Sequence, residues 1–320
     1  MSALRSVCFA LGLGLVASPL VAQEHAPEGA AAKVDIITPH ITDGYHMELP
    51  WFAPPFYKEI CLGRHVGEHG CEALWPDVHV GPLTLNLSPT KHVVFLFIAA
   101  FLVSALLIGA ARAHRRHTHA VGRPKGFAAG VEAMVLYIRN EVILPNVGHH
   151  GNGFVPYLLT CFFFILTANL LGLIPYGSTS TGNIAVTFSL ALMTFITTEV
   201  AGMRALGSGY LSTIFYWNKD LPMVMRVLML IVVSPVELIG KFTKPIALAI
   251  RLFANMTAGH IVLLAFIGLI FTFNSYAVAV APVAMAVALS LLELMVAFLQ
   301  AFIFTLLSSV FIGLIRESHH

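Results

Sequence analysis

Arg251 stands inside an apolar run, with Ile246-Ala247-Leu248-Ala249-Ile250 before it and Leu252-Phe253-Ala254 after it. A charge at bilayer depth costs at least ~2.5–3.5 kcal/mol, so such a residue faces protein or water and marks an ion pathway. A guanidinium cannot release its proton. Arg251 is therefore a poor proton relay and a good fixed charge: it can attract a partner's carboxylate while blocking direct proton passage. His260 and Glu293 do titrate and can pass protons. At about 100° per residue, Lys244 and Glu237 fall within about 40° of the Arg251 face, and Asn255 shares that face. His260 points about 180° away on the same wheel and needs another partner. Glu293 and Gln300, seven residues apart, share one face of the last helix. The plainer reading makes Arg251 a permanent ion-pair member and His260 a satisfied core histidine. The apolar setting favours a functional Arg251.

The chain that must position these groups has 320 residues, 58% of them hydrophobic and only 11% charged, with a mean hydropathy of +0.83. A soluble domain carries roughly 25% charged residues. The same figures exclude a disordered chain, a nucleic-acid binder and a disulfide-dense mini-protein. An all-α polytopic membrane protein remains. About five crossing helices are expected, with one inner-surface amphipathic helix and a long, tilted last pair.

The charges are segregated. Between Glu24 and Asp77 nine acids meet three bases, a net charge of −6, whereas Arg112, Arg115, Arg116, Arg123 and Lys125 cluster later. An acidic outer segment and basic inner loops are implied. Residues 1–22 resemble a signal peptide: Arg5 opens it, Val7 to Val16 is too short to span, and cleavage is expected after Ala22. Residues 23–89 would then be exported, acidic and largely irregular, with one short helix. Cys61 and Cys71 lie there, and an oxidising location favours a disulfide over free thiols. A zinc set with His65 and His69 ranks last, because its spacing is not a standard signature.

Residues 90–320 form the membrane domain. Val93 to Ala111 is the first span, running inward by the positive-inside rule. Gly126 to Val147 mixes Glu132, Arg139, Asn140 and Glu141 with apolar residues and reads as the surface helix. Phe154 to Tyr176 and Ile184 to Met203 are the next spans, joined by an uncharged outer loop. Glu199 is expected at the interface or paired with Arg204. Val224 to Phe273 is either two short helices joined at Thr243-Lys244-Pro245 or one long tilted helix kinked at Pro245. Ala279 to Ile315 is too long for an upright span. An outer N-terminus and inner C-terminus require an odd number of crossings, and five fits.

Lys244-Pro245-Ile-Ala-Leu-Ala-Ile-Arg251-Leu252-Phe253-Ala254-Asn255-Met256-Thr-Ala258-Gly259-His260 closely resembles the signature of subunit a of F-type ATP synthases, the membrane stator of the proton channel. Glu293 and Leu299-Gln300-Ala301-Phe302-Ile303-Phe304 resemble the same family. So do Ala168-Asn169-Leu-Leu171-Gly172-Leu-Ile174-Pro175 and Thr181-Gly182-Asn183-Ile-Ala-Val-Thr187. The resemblance covers about Lys91 to the C-terminus. It implies that Arg251 faces the carboxylate of a rotating c-ring and separates two aqueous half-channels. Gln300 would lie near Arg251, His260 and Glu293 would line the outer half-channel, and Glu237 the inner one. It also implies b subunits of a peripheral stalk and the remaining synthase subunits as partners, in a bacterial inner membrane. Two departures matter. His and Glu are exchanged in some bacterial members, which suggests a functional pair, and Ala247 stands where some members have Ser. The exported extension is longer than usual.

No phosphate loop, Gly-x-Ser-x-Gly or His-Glu-x-x-His motif is present, so no catalysis and no cofactor or metal is expected of this chain. A proton-coupled secondary transporter would normally show repeated halves, and none is seen. A membrane-anchored periplasmic metal-binding protein using the His-rich outer segment is the other rival.

Overall fold

The computed structural model describes residues 42–317, apart from 51–56, 67–69, 77, 81–82, 86–87, 118–125, 149–150, 175–176, 208, 211–221 and 274–275. The expected signal peptide and its cleavage site lie outside the described residues.

The segment expected to be exported differs from expectation. Instead of irregular chain with a short helix, its described part forms three antiparallel hairpins. β1 (His46–Pro50) pairs with β2 (Tyr57–Cys61), β3 (Arg64–Val66) with β4 (Gly70–Glu72), and β5 (Val78–Val80) with β6 (Leu83–Leu85). Strands of three to five residues carry too little alternation to stand out in sequence. Cys61 and Cys71 are disulfide-bonded, with Cα atoms 5.8 Å apart, which ties the first hairpin to the second.

The remainder is helical. α1 spans Lys91–His117, α2 Phe127–Tyr137, α3 Leu144–Val147, α4 Val155–Gly172, α5 Ile184–Leu206, α6 Met223–Phe273 and α7 Tyr276–Glu317. A π-helical turn, Ile138–Ile143, joins α2 to α3. Residues 127–147 bury Val131, Ile138, Val142, Ile143 and Val147, while Asn140 and Glu141 stay exposed, as amphipathic periodicity requires. Five helices, α1 and α4 to α7, are long and apolar enough to cross a membrane.

α6 is one continuous helix of 51 residues with Pro235 and Pro245 inside it, so the two-helix reading is overturned. Membrane helices tolerate proline where neighbouring groups satisfy the freed backbone. At 1.5 Å per residue α6 measures about 77 Å, more than twice a ~30 Å hydrocarbon core, so it cannot stand upright. α7, with 42 residues, has the same excess.

The described chain divides into two compact units. One gathers the described parts of Met1–Phe101, Leu166–Ser189 and Leu252–Leu299, and the other those of Leu102–Ile165, Leu190–Arg251 and Gln300–His320. In the second, Leu158, Phe162, Ile165, Phe304 and Ile312 form the core with Ile138, Ile143 and Val147. Gly313 of α7 lies directly against the Asn146 carbonyl, leaving no room for a Cβ. Arg316 donates to the Val147 carbonyl at 3.1 Å and covers the Phe154 ring. Glu199 meets Lys241 at 3.6 Å, not Arg204. Five residues on a helix place Arg204 about 140° away, which corrects the expected pairing.

Candidate functional site

In the first unit α6 and α7 bring His260 and Glu293 together. His260 Nδ1 lies 3.6 Å from Glu293 Oε1. That is charge contact, beyond hydrogen-bond range. Gly259 makes it possible, because a Cβ there would collide with the Glu293 carboxylate. The same ring nitrogen lies 2.9 Å from the Met256 carbonyl, and Nε2 lies 3.0 Å from the Gly172 carbonyl. Carbonyls only accept. A neutral imidazole has one N–H and serves one of them; a doubly protonated ring serves both. The partner that the helical wheel demanded for His260 is thus Glu293, with Gly172. Glu293 Oε1 is buried and accepts no hydrogen bond within the described chain.

A polar layer adjoins this pair. Thr181 donates to Asn169 Oδ1 at 2.6 Å, and Asn169 Nδ2 donates to the Ala297 carbonyl of α7 at 3.3 Å. The hydroxyls of Thr179 and Thr181 lie 2.7 Å apart. Thr179 also donates to the Ala168 carbonyl at 3.4 Å. Thr179 packs on Gly172, where no Cβ would fit. The expected outer loop is therefore not a solvated turn: Ser178 to Thr181 is buried, with Ser180–Gly182 as a 3₁₀ turn.

In the second unit Glu237, Lys244 and Arg251 lie on an exposed face of α6, and Asn255 continues that face one turn further along. Among the described residues Arg251, Glu237 and Asn255 make no hydrogen bond or ion pair, and Lys244 sits 5.6 Å over the Phe311 ring. Gln300 is buried on α7. Lys241, about 40° around α6 from Glu237, is buried and donates to the Tyr210 hydroxyl at 2.8 Å. Large apolar side chains surround the exposed charges, among them Val236, Ile239, Ile246 and Ile250.

Comparison with known proteins gives this arrangement a family. Residues 93–313 match the family model described as ATP synthase A chain. The chain belongs to the ATP synthase subunit a family. It is 47% identical to ATP synthase subunit a of Chloroherpeton thalassium over 240 residues, 75% of this chain and 69% of that one. Against the Anaeromyxobacter sp. (strain Fw109-5) protein it is 42% identical over 316 residues, 92% of this chain and 75% of the relative. The Myxococcus xanthus subunit a is 43% identical over 291 residues, 90% and 91% of the two chains.

Seen as a subunit a, the chain holds features that its composition and periodicity did not announce. Asn169 is a single amide inside an apolar span, and that contrast is the signal that finds it. Lys241 stands out in the sequence as a charge inside an apolar helix, but its contacts with Tyr210 and Glu199 have no sequence signal. Asp43 was invisible: it reaches His92 of α1 across 49 residues with no pattern linking them. Among the described residues no group of three or more His, Cys, Asp or Glu is placed to hold a metal, so the metal-binding alternative gains no support. His69, one of its expected ligands, lies outside the described residues.

Proposed function

We propose that this chain is the proton-translocating stator subunit in the membrane sector of a rotary F-type ATP synthase, working against a ring of c subunits. One observation carries the reading. Arg251 is an exposed cation on a helix too apolar for water, and among the described residues no group of its own chain neutralises it. The ~2.5–3.5 kcal/mol cost of such a charge must be offset from outside. A carboxylate on a facing subunit does this. A fixed positive charge favours the ionised carboxylate, so each arriving acid releases its proton. A guanidinium that cannot deprotonate also stops protons from crossing directly.

In this reading His260 and Glu293 serve the outer half-channel, with the buried Glu293 oxygen taking or giving a proton beside an imidazole that holds one or two. Glu237 serves the inner half-channel. Asn255 and Gln300 border the Arg251 position. The chain makes and breaks no covalent bond other than to protons, so ATP chemistry belongs to other subunits. The b subunits of the peripheral stalk hold it against rotation. Residues 127–147 rest on the inner surface of the cell inner membrane, the exported segment is periplasmic and the C-terminus cytoplasmic.

The experiment is affinity purification from detergent-solubilised membranes through a tag on this chain. Co-purification of c and b subunits with ATP-driven proton pumping after reconstitution is expected. Isolation without them would overturn the reading.

A further inference from the structure

The exported segment and the first membrane helix meet at a carboxylate–imidazole pair. Asp43 Oδ1 lies 2.7 Å from His92 Nδ1. The other carboxylate oxygen accepts from Asn183 Nδ2 at 3.0 Å, and the Gly44 N–H donates to Oδ1 at 3.0 Å. His92 is 3% exposed, whereas the Asp43 side chain retains 22% of its surface, so the pair joins solvent to the interior. Ser180 donates to the His92 backbone carbonyl at 3.2 Å. The same unit holds the polar layer: Thr181, next to Ser180 in sequence, binds Asn169, Thr179 packs on Gly172, and the Gly172 carbonyl meets His260.

We propose that His92, oriented by Asp43, is the proton-collecting group at the outer mouth, so that the exported segment completes the outer half-channel instead of merely decorating it. This rests on the half-channel reading above. With Nδ1–H donated to Asp43, the His92 ring keeps its Nε2 lone pair to accept a proton from the outer water. Release of that proton on the channel side returns the ring to the neutral form it began in. No redox step or co-reactant is involved. Asp43 is a positioning residue: it fixes the tautomer and balances the charged ring. Burial pushes its carboxyl up, but the hydrogen bond and charge of His92, with the Gly44 N–H, outweigh burial and hold it below the ordinary carboxylate range. The ionisable side chains meeting here are Asp43 from the exported segment and His92 from α1, with Lys91, also buried, beside it in sequence. The 178–183 turn contributes only neutral groups.

The test uses the whole complex in membrane vesicles and measures passive proton conduction through the membrane sector, with chain abundance read alongside. His92→Ala should conduct about tenfold more slowly or worse, the scale of losing a positioned proton-transfer group. Added imidazole should restore conduction, and pyrazole, equal in size but far less basic, should not. Asp43→Asn should move the pH profile of conduction, and Asp43→Glu should return it. The proposal is overturned by wild-type conduction in His92→Ala, by equal rescue with pyrazole, by an unmoved pH profile in Asp43→Asn, or by loss of the chain from membranes in both His92→Ala and Asp43→Asn, which would make the pair a structural latch. If the wild-type complex itself conducts no protons, the half-channel reading fails first, and that outcome is distinguishable from all of these.

Discussion

His260 and Glu293 approach to 3.6 Å because Gly259, one residue before the histidine, leaves room for the carboxylate. Two groups, each expensive in lipid alone, share a site when one is a cation and the other an anion. The His260 ring also lies against the Met256 and Gly172 carbonyls, which hold it beside Glu293.

Replacing either member with Ala is expected to slow proton translocation sharply. Exchanging them, His260→Glu with Glu293→His, is expected to recover part of it, because the pair and not the position carries the charge complement. Proton pumping in inverted vesicles is the measurement. Full activity in the double Ala variant would sink the idea.

Gly259→Ala tests the same contact sterically. The added methyl meets the Glu293 carboxylate and must displace it. Helix propensity alone would favour Ala by about 1 kcal/mol, so a simple helical glycine would tolerate the change. Pumping should fall to near the Glu293→Ala level with the subunit still assembled. Unchanged pumping would mean that the carboxylate moves aside freely.

Much of this arrangement was legible beforehand, for a physical reason. Charges in apolar helices stand out, and helical periodicity places Glu237, Lys244, Arg251 and Asn255 on one face without any tertiary information. Parity of crossings likewise constrained the five spans. Glu199 with Lys241, Asp43 with His92 and the three hairpins escaped, because each depends on distant chain meeting or on strands of three to five residues. Periodicity has no term for either. The continuity of α6 through Pro245 was undecidable from the sequence, since proline ends helices in water and is tolerated in membranes.

Lys241→Ala should destabilise the subunit by about 1–3 kcal/mol, since it strips a donor from Tyr210 and leaves Glu199 without its cation. Adding Glu199→Gln should return part of the loss, as removing both charges leaves no unpaired ion. Thermal unfolding of the solubilised complex reads both. Additive losses in the double variant would show that the two groups act independently.

The segment expected to be exported makes a chemical prediction. The mature chain should begin near Gln23, and reduction should add about 2 Da for the Cys61–Cys71 bridge. Intact-mass analysis with and without reductant decides both. A chain beginning at Met1 counts against the processing, and an unchanged mass against the bridge.

The central claim is that Arg251 has no partner among the described residues of its own chain because its partner is the rotor carboxylate. The most direct measurement is ATP-driven proton pumping in inverted vesicles carrying Arg251→Ala, with passive leak and subunit abundance recorded together. The account predicts an assembled complex with pumping abolished and leak preserved or raised. Arg251→Lys should fail similarly, because lysine lacks the planar fork and can lose its proton in a buried site. Normal pumping in Arg251→Ala would contradict the account, and disappearance of the subunit would make Arg251 a structural residue instead.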